Sequence, residues 1–519
     1  MQTLKKLLYL LSSGERKSAL LLLVMMLIMA LLDMIGVASI LPFMAVLTNP
    51  SLIETNIFLD KLFQTLSVFG VENNQQFIFA LGVLVLVLLI LSLVFKALTT
   101  YYQTRFVLMR EYSVGKRLVK EYLYQPYTWF LNRHSADLGK TILSEVSGVI
   151  GNGLKPLLEL IAKSLITIAL IILLLLADPK LALIVGFSLG AAYLLIFSFV
   201  RSFLNQIGKD RLKNNQLRFT AVAEAFSAVK EVKVGGLEQT YIERFSNSAK
   251  TFAQNQASAS VVALLPRFAL EAIAFGGVML LILYLIKQTG NFNDALPVIS
   301  LYVFAGYRLI PALQQIYTSF TKLTFFGPGL DNIYNDLKSL KKFDSNHKQD
   351  ILSFNKVINL KNVYYSYPNA SRTALQNISL SIPAKTIIGL VGVTGSGKTT
   401  TVDIILGLLE AQKGTLEVDG QVITKKNLRA WQQSIGYVPQ HIYLSDDTVA
   451  ANIAFGRDSK YINQEAVAKA SKIANLHDFV INELPKQYQT NIGERGIRLS
   501  GGQRQRIGIA RALYHNPQI

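Results

Sequence analysis

The chain begins with long unbroken apolar runs and ends with short ones. Six stretches, at 18–46, 77–101, 154–177, 181–203, 260–286 and 294–316, approach or exceed the roughly 20 apolar residues that a bilayer-spanning helix needs. They predict six transmembrane helices. The first is not read as a cleaved secretory signal, because its apolar run continues beyond Asp33 to Leu47 and no convincing cleavage site ends it. Two loops, after the second and fourth runs, hold about 50 to 60 residues of charged, helix-compatible sequence, far longer than ordinary connections. The membrane helices are therefore expected to continue out of the bilayer and turn there, with candidate turns at 124–138 and 234–245.

The outward loop 48–76 carries Phe58, Leu59, Leu62, Phe63, Leu66 and Phe69 at helical spacing. It predicts an amphipathic helix. Two readings stay open: a helix at the outer membrane surface that meets a lipid tail, or one that packs over the ends of the spans.

From Val357 onward short apolar runs alternate with glycine turns and amphipathic stretches, an α/β pattern with a β-rich beginning. Residues 386–391 read as a buried strand and 400–408 as a helix. The expected division is a membrane domain at 1–340, a charged linker at 341–353 and a nucleotide domain at 354–519.

Composition agrees with a membrane protein: of 519 residues 51% are hydrophobic and 16% charged. There is no cysteine, which excludes disulfides, thiol nucleophiles and thiolate metal sites. The five histidines show no metal-like spacing. The net charge is +19; basic residues recur at the N-terminus (Lys5, Lys6, Arg16, Lys17) and in the two long loops, whereas 48–76 has only Lys61. Positive charge gathers on the cytoplasmic side, so a multi-pass protein of the plasma (inner) membrane is expected, with both termini and the nucleotide domain cytoplasmic. No nucleic-acid recognition motif accompanies the charge, so no nucleic-acid partner is expected.

Ionisable residues inside spans are costly and face partners or cavities. Here they are Asp33, Lys96, Glu159, Lys163, Arg267, Glu271 and Arg308. Glu159–Lys163 and Arg267–Glu271 have i,i+4 spacing and suit intrahelical pairing. Lys96, Arg267 and Arg308 come from three spans and are candidates to line a cavity for an anionic head group, arginine matching phosphate through its planar fork. Snorkelling or structural pairing is the alternative.

The segment Gly392-Val393-Thr394-Gly395-Ser396-Gly397-Lys398-Thr399 fits G-x-x-x-x-G-K-[ST] between a strand-like and a helix-like segment. The glycines let backbone N–H groups surround phosphates at a helix N-terminus. Lys398 is placed to reach the β and γ phosphates and Thr399 to hold Mg²⁺. About a hundred residues on stands Leu499-Ser500-Gly501-Gly502-Gln503.

Together these motifs resemble the ATP-binding-cassette (ABC) transporters, and the membrane half resembles their exporter branch. The resemblance implies six membrane helices of type-I/type-IV exporter fold fused to an α/β P-loop ATPase, with ATP and Mg²⁺ as cofactors. It implies that Tyr367 stacks on adenine, with Tyr365 as the fallback, and that Thr400 belongs to the phosphate site. It gives Gln440 the catalytic role of sensing Mg²⁺ and the attacking water. Glu494 would sit in the loop that meets coupling helices at the cytoplasmic turns. Ser500, Gly501, Gly502 and Gln503 would bind the γ-phosphate held by a partner subunit's phosphate loop, so a homodimer is expected, a heterodimer being the alternative.

Pro266-Arg267 with Leu270-Glu271, Tyr307-Arg308-Leu309 with Pro311, and Asp331-Asn332-Ile333-Tyr334 resemble the PglK-type flippases of lipid-linked oligosaccharides. The implied function is ATP-driven flipping of such a lipid or similar amphiphile. Export of polysaccharide, glycolipid, lipid A, drug or peptide stays open, as does an ATP-gated channel. The sequence ends at Ile519, where the family's next element, a strand ending in Asp-Glu, would begin. The expectation on that basis is an incomplete ATPase domain with an unpaired sheet edge, one that binds ATP without hydrolysing it. A catalytically dead membrane module is the reading if that end is genuine.

Overall fold

The computed structural model describes residues 2–68, 71–177, 179–289, 292–340, 352–368, 370, 372–493 and 496–519, and between 181 and 298 only part of the side chains. The chain divides into two compact units. One comprises Met1–Gln125 and Arg133–Phe343, the other Pro126–Asn132 and Asp344–Ile519.

The first unit is helical. Its long helices are α1 (Ser13–Ala38), α2 (Asn74–Leu123), α3 (Lys155–Ala177), α4 (Pro179–Ser227), α5 (Glu238–Thr289) and α6 (Phe292–Phe325). Each apolar run lies in one of them, except that the first is broken at Ser39 and resumes as Ile40–Thr48. Pro42 explains the break, because it has no N–H to offer Ala38 and its ring crowds that carbonyl. Among the described residues, Ser13–Thr48, Asn74–Leu123 and Ser135–Ala177 are long and apolar enough to cross a membrane. Helices α2, α4 and α5 have 50, 49 and 52 residues. At 1.5 Å per residue they reach roughly 75 Å, more than twice a bilayer core of about 30 Å, as the charged loops predicted.

The turn expected at 234–245 falls at Gly236, whose φ of +61° closes the helix Val229–Gly235, with Leu237 N donating to Val232 O at 2.9 Å. Around the other turn lie two short helices, Tyr127–Phe130 and Ser135–Lys140. Before α3 the chain makes two π-helical turns, Thr141–Glu145 and Ile150–Leu154. They lead from the buried Glu145, which accepts from Arg211 at 2.9 Å and from Asn215, up to the base of α3. The helix Ile57–Ser67 forms as expected, capped by Asn56. Leu59, Leu62, Phe63 and Leu66 pack on Val46, Phe77 and Leu81 at the ends of the spans, while Ile57 and Phe58 stay exposed. Phe69 lies outside the described residues.

The second unit starts with an antiparallel sheet, β1 (Val357–Tyr365), β2 (Leu375–Pro383), β3 (Lys413–Val418) and β4 (Gln421–Val422), in the order β2-β1-β3-β4. Ile358 stands opposite Ile382 on one side and Val418 on the other. This sheet covers α7 (Lys398–Ile405) in one core around Trp431, whose Nε1 donates to Ile405 O at 2.7 Å. A second core, around Val449, Ile453, Val467, Val480 and Ile507, carries α8 (Gly501–Leu513).

Two local expectations are corrected. Residues 386–391 form no strand, and Ile387 and Val391 are 102% and 98% exposed. Extended backbone becomes a strand only when neighbours pair with it, and among the described residues none does so here. Helix α7 stops at Ile405 rather than 408 because Gly407 turns to φ +65°, where a Cβ would meet Leu428 at 2.2 Å.

Candidate nucleotide and substrate sites

The phosphate loop has the backbone its sequence demands. Gly395 and Gly397 adopt φ of +81° and +90°, and Gly397 caps α7. A Cβ on Gly392 would lie 2.7 Å from Ser396 Oγ, and one on Gly397 would lie 2.6 Å from Leu375 and 2.8 Å from Ala374 O. The loop therefore requires glycine at 397, while a side chain at 392 would force the Ser396 hydroxyl to turn aside. Lys398 Nζ folds back to donate to Gly392 O at 2.8 Å and Val393 O at 2.9 Å, so its charge sits over the ring of the loop. Thr399 is exposed beside it. The donor set, a positive ammonium, glycine N–H groups and a helix N-terminus with no carboxylate among them, fits a polyphosphate.

Tyr367 follows β1 and is half-buried. A reciprocal pair of bonds between Ser366 and Gln412, both 3.1 Å, pins the turn that carries it. Its hydroxyl meets Thr400 Oγ1 at 3.2 Å, and Thr400 is itself buried, so that side chain is engaged within the fold. The fallback Tyr365 is corrected: it is 3% exposed inside the sheet core and has no face for a base. Gln440 is exposed in the segment after Ile435. On α7, burial raises the Asp403 carboxyl above its usual range. Glu494 lies outside the described residues.

Ser500 caps α8 in a capping box: its Oγ accepts from Gln503 N at 3.3 Å, and Gln503 Oε1 accepts from Ser500 N at 2.8 Å. A Cβ on Gly501 or Gly502 would meet nothing within 4 Å. The first turn of α8 therefore presents open N–H groups. The loop and this turn stand on the unit's two different cores.

In the membrane unit the three named cations part company. Arg308 on α6 pairs with the buried Asp33 of α1 at 2.9 Å, and Ser92 of α2 donates to the same carboxylate oxygen at 2.7 Å. Lys96 lies one turn from Ser92 on α2, and on α3 Lys163 lies one turn from Glu159, which α6 holds through Gln315. Arg267 instead pairs with Glu271 on its own helix at 2.8 Å and is 60% exposed. The expected Glu159–Lys163 pair is replaced: Glu159 accepts from Gln315 of α6 at 2.7 Å and lies 4.0 Å from Lys155. Sequence spacing cannot show partners on other helices, so Lys163, Gln315 and Ser92 were missed as members of this cluster. Helix α6 also reaches α5 directly: Gln314 Nε2 donates to Ala263 O at 3.0 Å.

A phosphate loop entering a helix, a second glycine-rich helix N-terminus and a bundle of membrane-length helices define a membrane protein powered by a nucleoside triphosphatase. The chain belongs to the ABC transporter family: the family's transmembrane region matches residues 38–306 and its ATPase domain residues 375–519. An ATP-dependent lipid A-core flippase of Cupriavidus pinatubonensis is 30% identical over 76% of this chain and 67% of its own length. A lipid A-core flippase of Saccharophagus degradans is 29% identical over 78% of this chain and 68% of its own. The chain thus spans about two thirds of these relatives. A solved bacterial Atm1-family ABC exporter with ATP bound shares the fold, with a TM-score of 0.74, 20% identity, and 97% and 84% of the two chains covered.

Proposed function

We propose that this chain is one half of a dimeric exporter in the plasma membrane that uses ATP to move a phosphate-bearing glycolipid, of the lipid-linked oligosaccharide or lipid A kind, toward the outer face. The observation that carries the reading is the charge cluster between α1, α2, α3 and α6. Among the described residues the interiors of these spans carry three cations, Lys96, Lys163 and Arg308, and two carboxylates, Asp33, which binds Arg308 at 2.9 Å, and Glu159, which accepts from Gln315. An uncompensated positive charge within the spans suits an anionic head group. The names of the relatives, lipid A-core flippases, point to the same class of cargo. Arg267 drops out of the substrate set, and Lys163 enters it.

On the nucleotide side, Lys398 and the loop N–H groups hold the β and γ phosphates, Thr399 holds Mg²⁺, and Tyr367 flanks the base. Gln440 orients the attacking water. The first turn of α8, with Ser500, Gly501, Gly502 and Gln503, completes the partner subunit's site, so a second copy of the chain is required. Hydrolysis of the bound nucleotide supplies the free energy of transport.

The test is ATPase activity of the full gene product in proteoliposomes, with a phosphorylated glycolipid or its dephosphorylated analogue. The phosphorylated lipid should stimulate more. Lys96→Ala should raise the concentration for half-stimulation roughly tenfold or more, the worth of one charge-assisted hydrogen bond. Equal stimulation by both lipids would overturn the head-group reading.

A further inference from the structure

A cavity of mixed lining lies below that cluster, and the exporter reading leaves it without a role. It measures about 310 Å³ and is lined by Thr104, Val107 and Leu108 of α2, by Lys155 at the start of α3, and by Ser147 and Asn152 with two glycines from the irregular turns before α3. Its depth is telling. Thr104 and Lys155 stand where the apolar runs 77–101 and 154–177 end, which is the level of lipid head groups.

Two polar rows join this cavity to the cluster. On α2 they are Thr104, Thr100, Lys96 and Ser92, each four residues from the next; on α3 they are Lys155, Glu159 and Lys163, spaced likewise. Residues four apart share a helix face. The helices run in opposite senses, and Thr104 of one and Lys155 of the other line one cavity; from that level each row winds gradually, by about 40° a step, toward Lys96 and Lys163. Eight residues of helix separate the two levels, roughly 12 Å. The cavity owes its room to glycine and π-helical backbone: a Cβ on Gly151 would meet nothing within 4 Å.

We propose that this cavity is an entrance subsite for the phosphate group of an anionic lipid, and that the two rows lead that group inward to Lys96, Lys163 and Arg308. The inference rests on the exporter reading above and adds a loading site at the membrane surface. Lys155 supplies the charge; Thr104, Ser147 and Asn152 supply hydrogen bonds. Glu159, held by Gln315 and near Lys155, separates the entrance cation from the inner ones. The anion therefore has two favoured stations instead of one continuous trap.

The test uses the protein in nanodiscs with a trace of photoactivatable phosphatidic acid, or of photoactivatable diacylglycerol, which lacks the phosphate. Phosphatidic acid should label peptides 104–108 and 147–155, and diacylglycerol should not. Gly151→Leu, which fills the cavity, and Lys155→Glu should each cut this labelling roughly tenfold, with an unchanged thermal midpoint of the membrane unit as proof of folding. Equal labelling by diacylglycerol, or labelling unchanged in both variants, would overturn the subsite. Complete displacement by inorganic phosphate would overturn the lipid as its source. The two readings fail separately. Labelling that responds to Gly151→Leu beside lipid stimulation that ignores Lys96→Ala would retain the entrance and sink the inner site, and the reverse would do the opposite.

Discussion

At the residue scale the nucleotide loop is held by two glycines at positive φ, Gly395 and Gly397. Among the described residues Lys398 has no acidic partner and bonds loop carbonyls, which a phosphate can replace. Lys398→Ala should weaken binding of a fluorescent ATP analogue tenfold or more, since a charged hydrogen bond contributes about 1.5–3 kcal/mol. Gly392→Ala should have a similar effect without unfolding, because its Cβ would strike Ser396 Oγ, which lines the loop. In the membrane unit the buried pair Glu145–Arg211 has side chains only 2% and 4% exposed. Arg211→Met would strand the carboxylate, and the cost should be about 3–5 kcal/mol, read as a lower thermal midpoint in detergent. The loop residues were legible in sequence because their spacing is itself the geometry. Glu145 with Arg211, or Arg308 with Asp33, were not: their partners are 66 and 275 positions away.

At the scale of elements, helix contact is set by a few small residues. A Cβ on Gly208 of α4 would lie 2.3 Å from Phe325 O at the end of α6. Gly208→Ala must push these helices apart, and should cost about 1–3 kcal/mol as overpacking does, visible as a lower melting temperature. In the ATPase unit, Asp419 ties the entry to β1 by accepting from the backbone N–H of Asn355, Lys356 and Val357. These bonds hold its carboxyl below the usual range. Its contribution to stability is therefore present above the ordinary carboxylate value of about 3.9 and is lost as pH falls through the lower folded value. Asp419→Asn should flatten the acid limb of a stability-against-pH curve; an unchanged limb would count against this role. Long apolar runs made the membrane helices legible, and the short runs from Val357 onward announced a β-rich beginning without bounding β1 or β2. The segment 386–391 was misread because an apolar run states only that burial suits it, while a strand also needs a neighbour.

At the scale of the whole molecule, two units of different chemistry share one chain. The membrane unit gathers an excess of positive charge among helices that sequence separates widely, and the ATPase unit offers two halves of a phosphate site on separate cores. Loop charge and motif spacing carried the family; the proposed cargo rests on Lys96, Lys163 and Arg308, which lie on three different helices. The most direct measurement is translocation itself. Proteoliposomes containing the full gene product and a fluorescent phosphorylated glycolipid are given ATP, and the share of dye reached by an impermeant quencher is followed. The account predicts an ATP-dependent change in that share, absent in Lys398→Ala and weakened in Lys96→Ala. Movement that is equal without ATP, or equal for the dephosphorylated lipid, would contradict it.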